Sequence, residues 1–216
     1  MKNFYPIFLD VAGKRAVVIG GGAVAARKAA TLSSAGALVL VISPELHPDL
    51  ALMVKNGAVA HESRRYQPGD LAGAAVAVAA TDNPETNIKA ASEARASGVP
   101  VNCVRPPDAG DFIVPSSIKR GDLTVAISTG GGCPALSKRI RKDLESILGA
   151  EYGEFLEFLE ESRGYLKSKV ADEKNRQEAL TALVESGMVE AFRGNPGAAR
   201  VRGKAMLEEL VARYGR

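Results

Sequence analysis

Residues 15–25 read Arg-Ala-Val-Val-Ile-Gly-Gly-Gly-Ala-Val-Ala, a short apolar run that ends in three glycines and continues into an alanine-rich stretch. The run is rich in β-branched residues, and Val24, Lys28 and Leu32 follow the glycines at fourfold spacing. This pattern predicts a strand, a tight turn and a helix.

Within this stretch, Gly20, Gly22 and Ala25 have the spacing of the dinucleotide fingerprint Gly-x-Gly-x-x-Ala. Gly20 would allow the tight turn, Gly22 would let a pyrophosphate approach the backbone, and Ala25 would let the helix pack closely on the strand. The free amides and the dipole of the helix N-terminus would attract the negative charge. The alternative is a glycine turn without a ligand. The residues expected to hold the cofactor here are Gly20, Gly21, Gly22, Ala23 and Val24.

Further apolar runs follow along the chain, at 37–42, 74–80 and 99–104. Strands that alternate with helices and are apolar throughout predict a parallel sheet covered on both faces. A ligand is then expected at the carboxyl ends of the strands. Thr81 and Asn102 lie at the ends of two predicted strands, so we expect both in the nucleotide crevice.

The second predicted strand ends in Ser43-Pro44-Glu45. The fingerprint places an acid about 20 residues further on, where it accepts the ribose 2′-hydroxyl. Glu45 is the available acid, Ser43 could contact the ribose instead, and Glu45 could equally be a plain loop residue. Residues 43–48 contain no Arg or Lys that could meet a 2′-phosphate. NAD is therefore favoured over NADP.

Composition narrows the class of protein further. The 216 residues contain 28 Lys and Arg against 25 Asp and Glu, a net charge of +3, which gives no reason to expect nucleic-acid or membrane binding. No apolar run reaches the roughly 18 residues of a membrane span, and the start of the chain lacks a signal-peptide core, so a cytoplasmic protein is expected. The two cysteines, Cys103 and Cys133, and the two histidines form no metal-ligand pattern, and both cysteines are expected to be small buried residues.

The later part of the chain changes character. A strand is predicted over 123–129, followed by a second glycine turn and a helix with a narrow apolar stripe and basic faces. Thr129, Gly130 and Gly131 open this helix and could bind a substrate carboxylate or the nicotinamide phosphate, or could be a connection at a dimer interface. Helical stretches are predicted beyond it, at about 151–169, 172–192 and 196–214.

Together these motifs resemble the sirohaem synthase dehydrogenase and chelatase module. The resemblance covers residues 1 to about 148 and rests on six segments in order. They are Tyr-Pro-Ile-Phe-Leu-Asp at 5–10, Val-Ile-Gly-Gly-Gly at 18–22 with Val24, Ala25 and Lys28, Ala-Ala-Thr-Asp-Asn at 79–83, Val-Asn at 101–102, Asp-Phe-Ile-Val-Pro at 111–115, and Ser-Thr-Gly-Gly-Gly-Cys-Pro at 128–134 with Leu136 and Arg141.

The resemblance implies NAD-dependent oxidation of the tetrapyrrole precorrin-2 to sirohydrochlorin and, in bifunctional members, insertion of ferrous iron. It also implies a homodimer. The expected fold is α/β, with a Rossmann-type parallel sheet followed by a small dimerisation region and a C-terminal helical domain. The expected boundaries are an NAD-binding domain over 1–112, the dimerisation region over 113–148 and the helical domain over 149–216.

One residue departs from the family pattern. The family has a functional aspartate three residues after the Asn of the Val-Asn motif, and this chain has Arg105 there. Because arginine stays protonated, it can be neither a base nor an iron ligand. Asp108 or Asp111 could supply the carboxylate, the chain could retain dehydrogenation without chelation, or it could bind the tetrapyrrole without chemistry.

We favour dehydrogenation without chelation, in which Arg105 pairs with a substrate carboxylate. Arg105 could also be a plain exposed loop residue, and Asp111 could cap the residues that follow it. The alternative from another class is a non-catalytic module that binds NAD or tetrapyrrole for regulation.

Overall fold

The computed structural model describes residues 3–215 and separates the chain into two compact units, the first ending at Val114 and the second beginning at Pro115. The three-part division at 112 and 148 stays a prediction. Among the described residues, no helix is both long and apolar enough to cross a membrane.

The first unit alternates strands and helices. Its elements are β1 (Arg15–Ile19), α1 (Ala23–Ser34), β2 (Leu38–Ile42), α2 (Pro48–Lys55), β3 (Ala60–Glu62), β4 (Val76–Ala79), α3 (Pro84–Ala96) and β5 (Val101–Cys103). The five strands form one parallel sheet in the order β3-β2-β1-β4-β5. The predicted Rossmann-type sheet is therefore confirmed, and the strand order reverses beside β1, where such sheets bind ligands.

Two apolar cores cover the faces of this sheet. Val18 faces a cluster that contains α1, whereas its neighbours Val17 and Ile19 face a cluster that contains α3. Successive side chains of a strand point to opposite faces, so a strand covered on both sides has no polar position. This explains why β1 is apolar from Ala16 to Ile19.

Two elements of the first unit, α2 and β3, were not predicted. The ring of His47 caps α2 by accepting a hydrogen bond from the Asp49 amide at 3.3 Å, and Pro48 begins the helix. A histidine is an uncommon helix cap, which explains why no helix was predicted there.

The second unit is mainly helical. Its elements are β6 (Ser116–Arg120), β7 (Leu123–Ile127), α4 (Pro134–Ile147), α5 (Glu151–Lys169), α6 (Glu173–Glu185), α7 (Met188–Gly194) and α8 (Pro196–Tyr214). β6 and β7 form a two-stranded antiparallel sheet. The helices α5 to α8 share one apolar core, in which Phe155, Phe158 and Phe192 contact one another.

The expectation of one helix over 172–192 is wrong. The helix breaks after Glu185 because Gly187 adopts the left-handed conformation with φ of +71°. The predicted start of α8 is confirmed, since the Asn195 side chain accepts a hydrogen bond from the Ala198 amide at 3.0 Å.

Candidate functional site

A cleft of about 1170 Å³ lies at the carboxyl ends of β1, β2 and β4. Ligand pockets commonly measure about 300–1,000 Å³, so this cleft has room for an extended ligand. It is lined by the glycine turn, the loops after β2, β3 and β4, and one face of α3. The sequence-predicted residues among its lining are Gly20, Gly21, Gly22, Ser43, Glu45 and Thr81.

The first two glycines of the turn are required by packing. Gly20 has φ of +118°, and a methyl group added to it would lie 2.5 Å from the carbonyl oxygen of Ala80. A methyl group on Gly21 would overlap the carbonyl oxygen of Glu45 and lie 2.5 Å from the Ser43 hydroxyl. The turn therefore passes close to the loops after β2 and β4 and holds the floor of the cleft in place.

Gly22 differs from its neighbours. Its φ of −79° is open to any residue, and a methyl group added to it would meet nothing within 4 Å. Folding therefore gives no reason for glycine here, whereas a ligand that approaches the backbone does. The residue lies at the open side of the cleft, directly before α1.

The N-terminus of α1 suits an anion. Gly22 is the N-cap and supplies no side-chain cap, and the first turn of α1 contains no acidic residue. Helix N-termini carry unpaired amides and a partial positive charge, so this one fits the pyrophosphate of a dinucleotide. Ala23 and Val24 lie in this first turn but are not among the lining residues.

The loop after β2 forms the next part of the cleft. Ser43 is buried and its hydroxyl donates to the carbonyl of Glu45 at 2.8 Å, while the His47 amide donates to the carbonyl of Gly21 at 2.7 Å. These bonds tie the loop to the glycine turn. The Glu45 residue is exposed and lines the cleft, as a ribose contact would.

The loop after β4 is held by Asn87, which sequence reasoning missed. Asn87 is fully buried, and its Oδ1 accepts from the amide and hydroxyl of Thr81 at 3.0 and 2.7 Å. Its Nδ2 donates to the carbonyls of Thr81 at 3.0 Å and Arg105 at 2.9 Å. This single amide therefore joins the loops that follow β4 and β5. Its position in the first turn of a helix carries no recognisable sequence signature.

Asn102 is buried at the end of the sheet, and its Nδ2 donates to the carbonyl of Phe112 at 2.9 Å. It is not among the residues that line the cleft. The structure therefore does not bring Asn102 together with the other expected cofactor residues.

Sequence reasoning also missed one wall of the cleft. Arg65, Tyr66 and Pro68 come from the loop after β3, and Lys89 and Glu93 from α3. The Tyr66 hydroxyl donates to Glu93, and burial together with this bond raises the pKa of Tyr66, so that it remains a neutral donor. A local sequence pattern cannot predict this contact, because Tyr66 and Glu93 are more than 20 residues apart in sequence.

The three expected catalytic residues lie outside the cleft lining, in the loop after β5. Arg105 is exposed two residues before a short 3₁₀ turn, Pro107–Ala109, and Asp108 is exposed within that turn. The Asp111 carboxylate accepts from Arg95 at 3.2 Å and from the Val101 amide at 3.3 Å. Asp111 thus holds the loop against the sheet instead of capping the residues after it.

The second glycine turn belongs to the second unit. Thr129 Oγ1 accepts from the Cys133 amide at 3.1 Å, and Gly130 and Gly131 both have positive φ. Cys133 is exposed, so the expectation that it would be buried is wrong, whereas Cys103 is buried as expected. The turn is held through the Cys133 amide and leaves the cysteine side chain at the surface.

Comparisons with known proteins agree with this geometry. Residues 7–116 match the family model described as "Putative NAD(P)-binding", and residues 120–147 match the model of the central part of sirohaem biosynthesis proteins. A siroheme synthase of Chromobacterium violaceum is 38% identical over 99% of this chain and 45% of its own length. A siroheme synthase of Methylobacillus flagellatus is 38% identical over 87% of this chain and 42% of its own length. The chain thus spans less than half the length of these relatives.

A solved structure named SirC, precorrin-2 dehydrogenase, superposes with a TM-score of 0.74. The match covers 96% of this chain and 98% of that one at 24% sequence identity. This similarity supports the fold described above, in which a Rossmann-type sheet is followed along the chain by a helical region.

Proposed function

The chain belongs to the NAD(P)-binding family whose model spans residues 7–116, and from this premise we propose that it oxidises precorrin-2 to sirohydrochlorin with NAD as the hydride acceptor. The expected family resemblance is confirmed by the two family models and the relatives, and the nicotinamide dinucleotide is confirmed as the class of cofactor. The observation that carries the proposal is the cleft at the strand ends, where Gly22 has no structural reason to be glycine. The dehydrogenase activity itself is proposed from the names of proteins that this chain resembles.

The dinucleotide would lie with its pyrophosphate on Gly22 and the N-terminus of α1, and its ribose beside Ser43 and Glu45. Bound NAD supplies a hydride acceptor, so oxidation of the substrate also releases one proton. One of the two carboxylates in the loop after β5, Asp108 or Asp111, is the proposed proton acceptor. Thr129, Gly130 and Gly131 stay proposed contacts for a substrate carboxylate.

Arg105 has a separate proposed role. Its guanidinium is exposed, while its carbonyl is held by Asn87 at 2.9 Å, so the backbone is fixed and the side chain faces solvent. The guanidinium is planar and permanently charged and can donate two parallel hydrogen bonds, so it suits the carboxylates of a tetrapyrrole. Because the same group cannot ligate iron, we propose that dehydrogenation is retained and iron insertion is not.

The test is to incubate the purified protein anaerobically with precorrin-2 and NAD and to follow the absorption spectrum of sirohydrochlorin together with NADH. We expect both products to appear in equal amounts, and neither without NAD or protein. Folded protein that binds NAD without turnover would instead support the regulatory module.

A second arm of the same experiment adds ferrous iron to sirohydrochlorin. We expect the rate of metal insertion to equal that of iron and substrate alone. Acceleration by the protein would contradict the role proposed for Arg105.

We also propose that the chain forms a homodimer through the region around α4. The apolar stripe predicted for α4 is uncovered, with Leu136 50%, Ile140 36% and Ile147 57% exposed. The two-stranded sheet beside it contributes to none of the apolar core clusters of the described residues, and isolated two-stranded sheets are marginally stable. A second copy that presents the same stripe would cover it in an isologous contact.

Ile140→Glu is expected to convert the dimer to a monomer. A carboxylate buried in an apolar contact without a partner costs about 3 kcal/mol or more, which weakens association by about 100-fold. The measurement is sedimentation equilibrium over a range of concentrations. Lys138→Glu, which places the same residue on the solvated face of α4, is the matched control and should remain dimeric. A dimer that survives Ile140→Glu would reject this interface.

The two free cysteines bear on the proposed cytoplasmic location. Cys103 and Cys133 form no disulfide, and Cys133 is exposed. Exposed unpaired thiols persist in a reducing compartment, which supports the proposed cytoplasmic location.

A further inference from the structure

The loops after β2 and β3 share one edge of the nucleotide cleft. The Ser63 hydroxyl donates to the carbonyl of Pro44 at 3.3 Å, and the His61 ring nitrogen donates to the carbonyl of Ser43 at 2.9 Å. These bonds place the residues that follow β3 beside the part of the cleft that would hold the ribose.

Arg65 lies between two anchored neighbours in this loop. The Arg64 guanidinium is bound by Glu62 and by both oxygens of Asp70, at 2.7 and 2.8 Å, and this contact holds the pKa of Asp70 below its ordinary value. On the other side, Tyr66 is fixed by its hydrogen bond to Glu93. The backbone at Arg65 is therefore held in place.

The Glu93 carboxylate also accepts from the amides of Gly69 at 3.0 Å and Leu71 at 3.2 Å. Three donors on one carboxylate fasten the remainder of the loop to α3. The wall of the cleft on this side is therefore preorganised.

Arg65 itself is exposed and is one of the residues that line the cleft, together with Ser43 and Glu45. Within residues 3–215, no carboxylate or other acceptor is bonded to its guanidinium. Arg64, one residue earlier, has three contacts to carboxylates. A fixed loop that presents an unpaired guanidinium at a nucleotide site is suited to bind a phosphate.

The strand end supports the same ligand. Dinucleotide sites that select NAD place an acid at the end of this strand, and an Arg nearby accommodates the 2′-phosphate of NADP. Here β2 is followed directly by Ser43, whose hydroxyl is engaged with the carbonyl of Glu45. We infer that Arg65 binds the 2′-phosphate and that the cleft accepts NADP as well as NAD. This inference rests on the nucleotide site of the proposed function.

Glu45 limits the preference. Glu45 is exposed and lines the same edge, and its negative charge would repel a phosphate. Attraction between Arg65 and the 2′-phosphate would compensate this repulsion without making the cleft selective for NADP. We therefore expect NADP to bind more weakly than NAD, by no more than about tenfold, which corresponds to about 1.4 kcal/mol.

The test measures the dissociation constants of NAD and NADP by calorimetry for the full chain and for Arg65→Ala. The variant should weaken NADP binding by about tenfold or more, the scale of a hydrogen bond to a charged group, and NAD binding by less than about threefold. Lys55→Ala removes the same charge from an exposed position of the same unit, outside the cleft, and should leave the ratio of the two constants unchanged. Thermal unfolding of each variant verifies that it is folded.

Three results would overturn the inference. If Arg65→Ala weakens both dinucleotides equally, Arg65 contacts a part that they share, such as the adenine. If NAD binds to the unaltered chain but NADP does not, the cleft excludes the phosphate while the proposed function stands. If neither dinucleotide binds, the proposed function fails together with the inference.

Discussion

Gly22→Asp is expected to weaken NAD binding by about 100-fold or more without lowering the free energy of unfolding. The added side chain would occupy the open side of the turn, where no protein atom lies within 4 Å, and would place a negative charge where the pyrophosphate approaches. The lost amide contacts and the repulsion together exceed about 2.7 kcal/mol. Calorimetric titration with NAD measures the binding, and urea denaturation measures the stability.

Stability should remain equal or rise, because Gly22 is the N-cap of α1 and has an extended backbone. Aspartate is a preferred N-cap residue, and its charge interacts favourably with the helix dipole, by about 0.5–1 kcal/mol. Gly22→Asn is the matched control, since it adds a side chain of the same shape without the charge. Comparison of the two variants separates the steric from the electrostatic loss. NAD affinity unchanged in both would reject the site.

The core of the cofactor site could be predicted because it lies within one short segment. Strand, turn and helix are local structures, and the spacing of Gly20, Gly22 and Ala25 has a direct geometric meaning. The apolar runs also identified β2 and β4, which are apolar on both faces, and β5, in which Asn102 is the one polar residue. In this segment the residues that form the sequence pattern are also the residues that close packing requires.

The missed residues are those that only the fold brings together. Arg65 reaches the cleft because β3 pairs with β2, and β3 is three residues long, too short to produce a periodic pattern. Asn87 connects two loops through its side chain, and nothing in its neighbourhood in sequence marks that role. The loop after β2 contains no basic residue, but this says nothing about the positive charge that Arg65 supplies from the loop after β3.

The helices of the second unit also show which features a local sequence pattern can predict and which it cannot. The stripe on α4 was predicted because amphipathic periodicity is local. The break at Gly187 was not, because a single glycine within an otherwise helical stretch is often tolerated in a helix. Its left-handed conformation separates α6 from α7, whose apolar residues share one core.

Gly21→Ala is expected to have the opposite effect to Gly22→Asp and to lower the free energy of unfolding by about 3 kcal/mol, as overpacking of a well-packed site does. The new methyl group would overlap the Glu45 carbonyl oxygen and lie 2.9 Å from the Ser43 Cβ. Neither neighbour can move alone, because Ser43 donates to Glu45 and the His47 amide donates to Gly21 itself. Urea denaturation gives the loss of stability.

Gly22→Ala provides the matched control for this variant, one residue away. The same methyl group there meets nothing within 4 Å, so stability should remain within about 0.5 kcal/mol of the unaltered chain. Gly21→Ala with unaltered stability would mean that the loop after β2 is not fixed against the turn. In that case the ribose edge, formed by Ser43, Glu45 and the loop of Arg65, would not be preorganised. Adjacent glycines thus separate two requirements, since Gly21 is needed to build the cleft and Gly22 to leave it open for the cofactor.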